Sequence, residues 1–164
     1  MCQPSVNLEE NLQWPHCIFI EFSAVESVNT TYESALSLNR DLYQRPNVSG
    51  AFAYDRFSIT TESSGTFTFR TNSSIDTYGY LYSPSFNATL PSLNLIEKDD
   101  DSAGRQQFLI EHTLEAGQRY YLVVTTYAPY GFGPFKLIVN GPTSVNLTHI
   151  PGTFVCLLRC FCPN

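Results

Sequence analysis

Three consecutive carboxylates, Asp99, Asp100 and Asp101, form the sharpest polar feature of the sequence. Neighbouring carboxylates repel one another unless a cation or backbone N–H groups neutralise them, and calcium takes about six to eight oxygen ligands. The segment is not an EF-hand, because Ala103 and Ile110 stand where that loop requires oxygen ligands. Two interpretations stay open: a calcium site, and a solvated turn in which the Asp side chains bond to the backbone.

Aromatic side chains supply two candidate binding surfaces. Strand alternation places Tyr78, Tyr80 and Tyr82 on one face, and tyrosine offers sugars or proteins a large, stiff surface with a hydroxyl. Tyr130 and Phe132 lie in a loop rich in glycine and proline, where exposed aromatic residues often mark a contact surface. The alternatives are a sandwich core for the tyrosine row and a loop folded over one end of the sandwich.

The residues that nucleophilic or acid–base catalysis requires are scattered. His16, His112 and His149 are far apart in sequence, and only His112 lies in a predicted strand. The chain contains no H-E-x-x-H, no G-x-S-x-G and no glycine-rich phosphate motif. We therefore expect no enzymatic activity and no required cofactor.

The five cysteines lie at the two ends of the chain, at Cys2, Cys17, Cys156, Cys160 and Cys162. This distribution predicts disulfides that tie down the terminal segments of a domain able to fold without them. Because five is odd, at least one thiol is left for an intermolecular bond or for reaction. A zinc site in the C-terminal cluster is the alternative, although its spacing matches no common zinc module.

N-x-S/T sequons without a central proline predict N-glycosylation at Asn29, Asn47, Asn72, Asn87 and Asn146. Together with the cysteines they predict a secreted, extracellular protein; ordinary polar turn residues are the alternative. The first residues have neither the basic start nor the apolar run of a secretory signal. If the chain is secreted, we expect a mature form or a fragment.

Composition and charge argue against several classes of partner. The 164 residues include 9 Lys and Arg against 15 Asp and Glu, which gives a net charge of −6. Nucleic acids and anionic membrane surfaces bind basic patches on proteins. Because this chain is acidic overall, we expect neither as a partner. No apolar run approaches the roughly 18 residues of a membrane-spanning helix. The 12 Phe and 10 Tyr instead predict a substantial core.

Short segments with a period of two carry these side chains, which is typical of β-strands in a sandwich or barrel. A turn at 63–65 predicts a hairpin between the segments on either side of it. Residues 23–43 fit either a helical stripe or strand and loop, and their Ser and Thr content favours the latter. The predicted strands are 18–22, 51–61, 66–71, 75–82, 93–96, 107–114, 119–127, 134–139 and 144–148.

From Tyr54 to Thr148 the order of these features resembles the bacterial pre-peptidase C-terminal (PPC) domain, and more closely the tandem extracellular modules of this type in invertebrate animals. The segments that carry the resemblance are 57–60, 65–69, 76–82, 94–96, 99–104, 114–124 and 133–138. The resemblance implies a small jelly-roll β-sandwich and a non-catalytic module that binds, spaces or assembles. Some bacterial relatives bind collagen and calcium, but the motifs assign no contact residue in this chain.

We expect a single all-β domain over residues 1–164, a jelly-roll-like antiparallel β-sandwich of about 8–9 strands with disulfide-bearing terminal segments. Its PPC-like core is expected at 50–149, with N-terminal strands at 1–49 and a Cys-rich segment at 150–164. Apolar residues 18–20 and 154–158 are candidates for strand exchange between chains.

The expected function is that of a secreted structural glycoprotein module that associates with copies of itself into an extracellular filament or matrix. The alternative is a monomeric module that binds a glycan or a matrix protein, with calcium as a candidate cofactor. A protease appendage is a third, more distant reading.

Overall fold

The computed structural model describes residues 26–37 and 40–152. Within this range side chains alternate between buried and exposed along the longer strands, as the pleat of a strand requires. Residues 26–37 and 40–152 contain no helix with the length and apolar character needed to cross a membrane. The strands are β1 (Val28–Leu36), β2 (Leu42–Tyr43), β3 (Phe52–Ala53), β4 (Asp55–Thr60), β5 (Gly65–Ser73), β6 (Thr77–Tyr82), β7 (Leu95–Asp99), β8 (Leu109–Leu114), β9 (Tyr120–Thr126), β10 (Gly133–Gly141) and β11 (Asn146–Ile150).

Two antiparallel sheets pack face to face. One has the strand order β1-β10-β5-β8 and the other has the order β11-β4-β9-β6-β7, while β2 and β3 form a separate short ribbon. With β2 and β3 set aside, most consecutive strands cross from one sheet to the other in jelly-roll order, and β11 widens the second sheet. The predicted all-β, jelly-roll-like sandwich is confirmed.

The predicted hairpin between β4 and β5 is wrong. β4 pairs with β11 and β9, whereas β5 pairs with β10 and β8. Phe57 and Ile59 of β4 share one core with Phe67 and Phe69 of β5, so the turn between the strands carries the chain from one sheet to the other. Alternation reports which side chains are buried and does not identify the neighbouring strand.

The other strands predicted within the described residues are present, with ends that differ by a few residues. Residues 28–36 form strand β1 rather than a helix, and β1 pairs with β10 along its whole length. β1 therefore belongs to the sandwich. The predicted strand at 18–22 and all five cysteines lie outside the described residues.

Two clusters of buried side chains stabilise the fold. The larger one fills the space between the sheets and includes Phe57, Phe67, Phe69 and Phe108, all fully buried. The smaller one lies on the outer face of the five-stranded sheet and consists of Tyr43, Phe52, Tyr54, Tyr80, Tyr82, Phe86 and Val123. The second cluster explains why β6 is buried on both faces.

Each side of the sandwich is closed by contacts between two edge strands. On one side Tyr32 of β1 stacks on His149 of β11, with ring centroids 5.6 Å apart. On the other side His112 Nδ1 of β8 lies 3.3 Å from Glu97 Oε2 of β7. These contacts join side chains, and among the described residues no further strand pairs with the outer edges of β1, β7, β8 and β11.

Candidate functional site

An acidic site, which consists of Asp76, Asp100 and Asp101, forms where β6 begins and β7 ends. The two strands are antiparallel neighbours, so residues just before β6 lie beside residues just after β7. One carboxylate oxygen from each of the three residues lies within 4.8 Å of the other two. The Oδ1 atoms of Asp76 and Asp100 are buried and have no hydrogen-bond partner among the described residues.

Asp99 has a different role from its two neighbours. Its carboxylate accepts hydrogen bonds from the backbone N–H of Ser102 at 3.0 Å and of Leu109 at 2.8 Å, and from the Ser102 hydroxyl. These bonds hold the turn closed and occupy the oxygens of Asp99. Of the three predicted calcium ligands, the structure brings Asp100 and Asp101 together and adds Asp76 where Asp99 was expected.

Burial and like charge raise the pKa of two carboxyl groups in the acidic site. Desolvation is the main cause for Asp76, and the charge of Asp101 adds to it. For Asp100 desolvation again comes first, followed by the charges of Asp101 and Asp76. The donor set fits a hard cation such as calcium, which binds carboxylates and completes its shell with backbone carbonyls or water.

The loop that follows the acidic site, residues 104–106, has a left-handed backbone. Gly104, Arg105 and Gln106 have φ angles of 74°, 54° and 62°. This conformation costs a residue with a side chain about 1–2 kcal/mol. Hydrogen bonds from Gln107 N to Gly104 O and from Thr77 N to Gln106 O maintain it. Strained backbone that its surroundings maintain in this way is frequent at ligand sites.

The predicted tyrosine row is mostly internal. Tyr80 is 1% exposed and Tyr82 is 0% exposed, whereas Tyr78 is half-buried. The hydroxyl of Tyr82 donates to the carbonyl of Pro91 at 2.9 Å. Burial raises the pKa of both Tyr80 and Tyr82. This environment favours the core alternative for Tyr80 and Tyr82 over a binding stripe.

Arg45 is buried among these tyrosines, with 4% of its surface exposed. Its Nε donates to the hydroxyl of Tyr80 at 2.9 Å, and its Nη1 donates to the carbonyls of Thr126 at 3.0 Å and Tyr127 at 2.6 Å. The guanidinium carbon lies 3.9 Å from the centroid of the Tyr78 ring. Carbonyl dipoles and aromatic faces therefore stabilise this cation. We call Arg45, Tyr78, Tyr80 and Tyr82 the tyrosine layer.

The aromatic loop after β9 lies next to the acidic site. The backbone N–H of Tyr127 donates to the carbonyl of Asp76 at 3.1 Å. Tyr127 is 55% exposed and Tyr130 is 64% exposed, and Tyr130 has a positive φ of 59°. Phe132 packs against the main core. The loop thus presents tyrosines to solvent near the acidic site, and Phe132 anchors it.

A serine, an aspartate and a histidine meet between β1, β4 and β11, with the aspartate in the centre. Asp55 is 3% exposed and its Oδ2 accepts a hydrogen bond from Ser34 Oγ. Asp55 Oδ1 lies 3.4 Å from His149 Nε2 and 3.3 Å from Arg40 Nε. A catalytic triad requires the histidine between the other two residues. This cluster instead ties the two sheets together.

All five sequon asparagines are exposed. Strands β1, β5 and β11 carry Asn29, Asn72 and Asn146 in that order. Turns carry Asn47 and Asn87. Exposed asparagines are accessible to glycans, which are bulky and stay on the surface. Glycosylation of these residues stays a prediction.

Sequence reasoning missed Asp76 and Arg45. Asp76 could have been found by pairing β6 with β7 as an antiparallel hairpin, because the start of one strand then meets the end of the other. No sequence signal marks Arg45, since an arginine followed by a proline is typical of an exposed turn. Its burial depends on residues 43–54 folding over the outer face of β6 and β9.

No protein-family model matches the chain, and no curated protein is significantly similar to it. The resemblance to PPC modules therefore stays an expectation. The jelly-roll strand order agrees with it at the level of fold only.

Proposed function

We propose that this chain is a non-catalytic, secreted glycoprotein module that associates with copies of itself into an extracellular filament or matrix. The open edge of β1 carries the proposal. This strand has 9 residues and pairs with β10 in unbroken register. On its other side no strand pairs with it among the described residues.

β1 lacks the features that normally protect an edge strand from other chains. It contains no proline and no bulge, and Glu33 is its one charged residue. Such an edge accepts an added strand through backbone hydrogen bonds. Side chains stand perpendicular to the sheet, so a glycan on Asn29 would project from the face and leave this edge accessible.

The ends of the chain supply candidate donor strands. Residues 18–20 and 154–158 are apolar segments in the sequence. In this arrangement each chain donates a terminal segment to β1 of one neighbour, and its own β1 accepts the segment of another neighbour. Such a contact does not close into a dimer or ring. Contacts of this kind generate filaments. An odd cysteine adds the option of a disulfide between neighbouring chains.

The first test uses the full chain purified from cells that secrete it. Non-reducing and reducing gels are run beside negative-stain images of the same sample. We expect filaments or ladders of oligomers, and their response to reductant separates disulfide linkage from strand pairing. A monomer under both conditions overturns the proposal.

Three matched substitutions test strand donation. Phe19→Asp and Val155→Asp each place a charge in one candidate donor segment, and Leu93→Asp places the same charge at a residue that is 52% exposed. We expect one of the first two variants to be dispersed to monomers, and Leu93→Asp to assemble normally. Filaments that survive both donor variants contradict strand donation.

A second candidate function, calcium-dependent binding of a glycan or matrix protein, is favoured by the acidic site. Two buried carboxylate oxygens there lack partners among the described residues. The N–H of Tyr127 donates to the carbonyl of Asp76, and Tyr127 and Tyr130 of the same loop are exposed. A cation would neutralise the acidic site and fix the loops around it. The exposed tyrosines then offer stacking surfaces for a sugar or a side chain.

Thermal unfolding with and without calcium tests this candidate. A ligand at about 100 times its Kd stabilises the native state by about 2.7 kcal/mol, which raises the Tm of a chain this size by roughly 5–10 °C. We expect Asp100→Ala to abolish this shift and Glu111→Gln, which alters an exposed carboxylate outside the acidic site, to retain it. Equal shifts in both variants contradict a calcium site at these residues.

A further inference from the structure

A polar cavity lies directly beside Asn72. Its volume is about 400 Å³, and its lining includes Arg70, Asn72, Gly104, Arg105, Gln107 and Ile138. The last residue pair between β5 and β8 joins Arg70 to Leu109. Beyond that pair the left-handed loop, rather than a strand, stands beside the end of β5. The cavity is the gap between that loop and the strand.

Gln107 forms part of the cavity wall and is held by its own hydrogen bonds. The side chain is 95% buried, since the residue is 5% exposed. Its Nε2 donates to the carbonyls of Ile75 at 2.8 Å and Gln106 at 2.6 Å, which fixes the orientation of the amide. Its Oε1 is buried and has no partner among the described residues. The two Nε2 bonds tie the loop at Gln106 to Ile75 and keep this wall of the cavity in place.

We propose that this cavity binds the first sugars of an N-glycan attached to Asn72. The inference rests on the proposed function, in which the chain passes through a glycosylating compartment. N-linked glycans begin with N-acetylglucosamine, which carries hydroxyl and amide donors, an acetamide oxygen and an apolar ring face. The guanidinium groups of Arg70 and Arg105, which line the cavity, donate to sugar oxygens, and Ile138 contacts the ring.

Covalent attachment makes weak contacts sufficient. Asn72 lines the cavity itself, so the tethered sugar has a high effective concentration there and needs little intrinsic affinity. The strained backbone at Gly104, Arg105 and Gln106 positions the loop that forms the opposite wall. A glycan bound in the cavity would hold that loop against the end of β5.

Asn87 provides an internal comparison. It is exposed in a turn, where its Oδ1 accepts hydrogen bonds from the backbone N–H and hydroxyl of Thr89 at 3.0 Å and 2.8 Å. It lines neither this cavity nor the groove on the other side of Asn72. A glycan at Asn87 is therefore expected to be free in solvent.

Native deglycosylation measures the difference. The full chain is secreted from eukaryotic cells, site occupancy is determined by glycopeptide mass spectrometry, and release by a peptide N-glycosidase is followed at each site. Rates are normalised to those of the denatured chain. If the glycan is outside the cavity for one tenth of the time, the enzyme releases it about tenfold more slowly than a fully accessible glycan. We expect that ratio between the release rates at Asn72 and Asn87.

Three variants test whether the glycan binds in this cavity. Arg105→Asn removes the guanidinium while keeping a residue that tolerates the left-handed backbone, and Arg70→Thr removes the other guanidinium. Both are expected to accelerate release at Asn72. Lys136→Thr is the matched control, because Lys136 and Asn72 line a separate groove on the other side. Acceleration by Lys136→Thr alone would place the glycan in that groove and overturn the proposal.

Hydrogen exchange gives a second readout. Ser74→Ala removes the Asn72 sequon and Thr89→Ala removes the Asn87 sequon. We expect faster exchange at residues 103–107 in Ser74→Ala only. Equal release rates, unchanged exchange, or an unoccupied Asn72 with other sites occupied overturns this inference alone. A chain with no occupied site instead contradicts the glycoprotein part of the proposed function.

Discussion

The tyrosine layer and the acidic site share one stretch of chain, residues 76–82, which supplies the three tyrosines to the first and Asp76 to the second. Their buried polar groups differ in how they are paired. In the tyrosine layer, the guanidinium of Arg45 and the hydroxyls of Tyr80 and Tyr82 all have hydrogen-bond partners. In the acidic site, buried oxygens of Asp76 and Asp100 have none among the described residues. Their pKa values are raised by desolvation and by neighbouring carboxylates.

The difference separates a structural network from a candidate ligand site. The paired polar groups of the tyrosine layer rigidify the fold in a low-dielectric environment, although the neighbouring buried hydroxyl of Tyr43 has no partner among the described residues. An unpaired buried oxygen carries a desolvation cost that a bound cation or donor removes. Residue type alone leaves two interpretations open for each region, because a row of tyrosines fits a binding surface or a core and an acidic turn fits a cation site or a solvated loop. The partners of each polar atom distinguish the two regions.

The largest effect is expected when the cation of the tyrosine layer is removed. Arg45→Ala leaves the carbonyls of Thr126 and Tyr127 and the hydroxyl of Tyr80 without their donor. Each buried group left unpaired costs about 1–3 kcal/mol, so we expect a loss of about 3–5 kcal/mol of unfolding free energy. Urea denaturation measures it.

Arg119→Ala is the control for Arg45→Ala, because Arg119 is exposed. Exposed substitutions of this kind usually change stability by less than about 0.5 kcal/mol. Equal denaturation midpoints for the two variants would show that Arg45 does not organise the tyrosine layer. The tyrosine layer would then not be a structural network centred on Arg45, and the contrast with the acidic site would fail.

A smaller, graded effect is expected from the two buried hydroxyls. Tyr80→Phe removes the acceptor of a charged donor, whereas Tyr82→Phe removes a neutral hydrogen bond to Pro91. Hydrogen bonds to charged groups contribute about 1.5–3 kcal/mol and neutral ones about 0.5–1.5 kcal/mol. Denaturation midpoints should therefore fall further for Tyr80→Phe. The reverse order contradicts the assignment of Arg45 as the centre of the layer.

The sequence predicts the fold class well, because alternation is a local property of each strand. Phe57, Ile59, Phe67 and Phe69 alternate along two predicted strands and lie in the core. The partners of β4 and β5 were predicted wrongly, since the same alternation fits a hairpin and a turn that crosses between sheets. Pairing in a jelly roll depends on contacts distant in sequence, which a local pattern does not contain.

The candidate site was predicted only in part, for the same reason. The acidic loop is visible as three adjacent Asp residues, but which of them face inward depends on the hydrogen bonds of Asp99 to Ser102 and Leu109. Asp76 joins them through the pairing of β6 with β7. Arg45 reaches the tyrosine layer through the fold of residues 43–54, which no motif marks.

Two small effects of opposite sign sharpen the comparison within the acidic loop itself. Asp99→Ala removes a carboxylate that accepts three hydrogen bonds, so we expect a loss of about 1–2 kcal/mol. Asp100→Ala removes a carboxylate that is desolvated and repelled by its neighbours, so we expect a gain in stability in calcium-free buffer at neutral pH. Adjacent aspartates should thus shift the denaturation midpoint in opposite directions.

The pH dependence follows from the direction of the pKa shift. Because the folded-state pKa of Asp100 is raised above its ordinary value of 3.8, the native state binds more protons than the unfolded state between those two values. Stability then falls as the pH rises through this window and stays lower above it. The advantage of Asp100→Ala over the unmodified chain should therefore be full at neutral pH and vanish as the pH approaches 3.8. An advantage that persists at that pH would show that neither the desolvation nor the repulsion of a charged Asp100 is its cause.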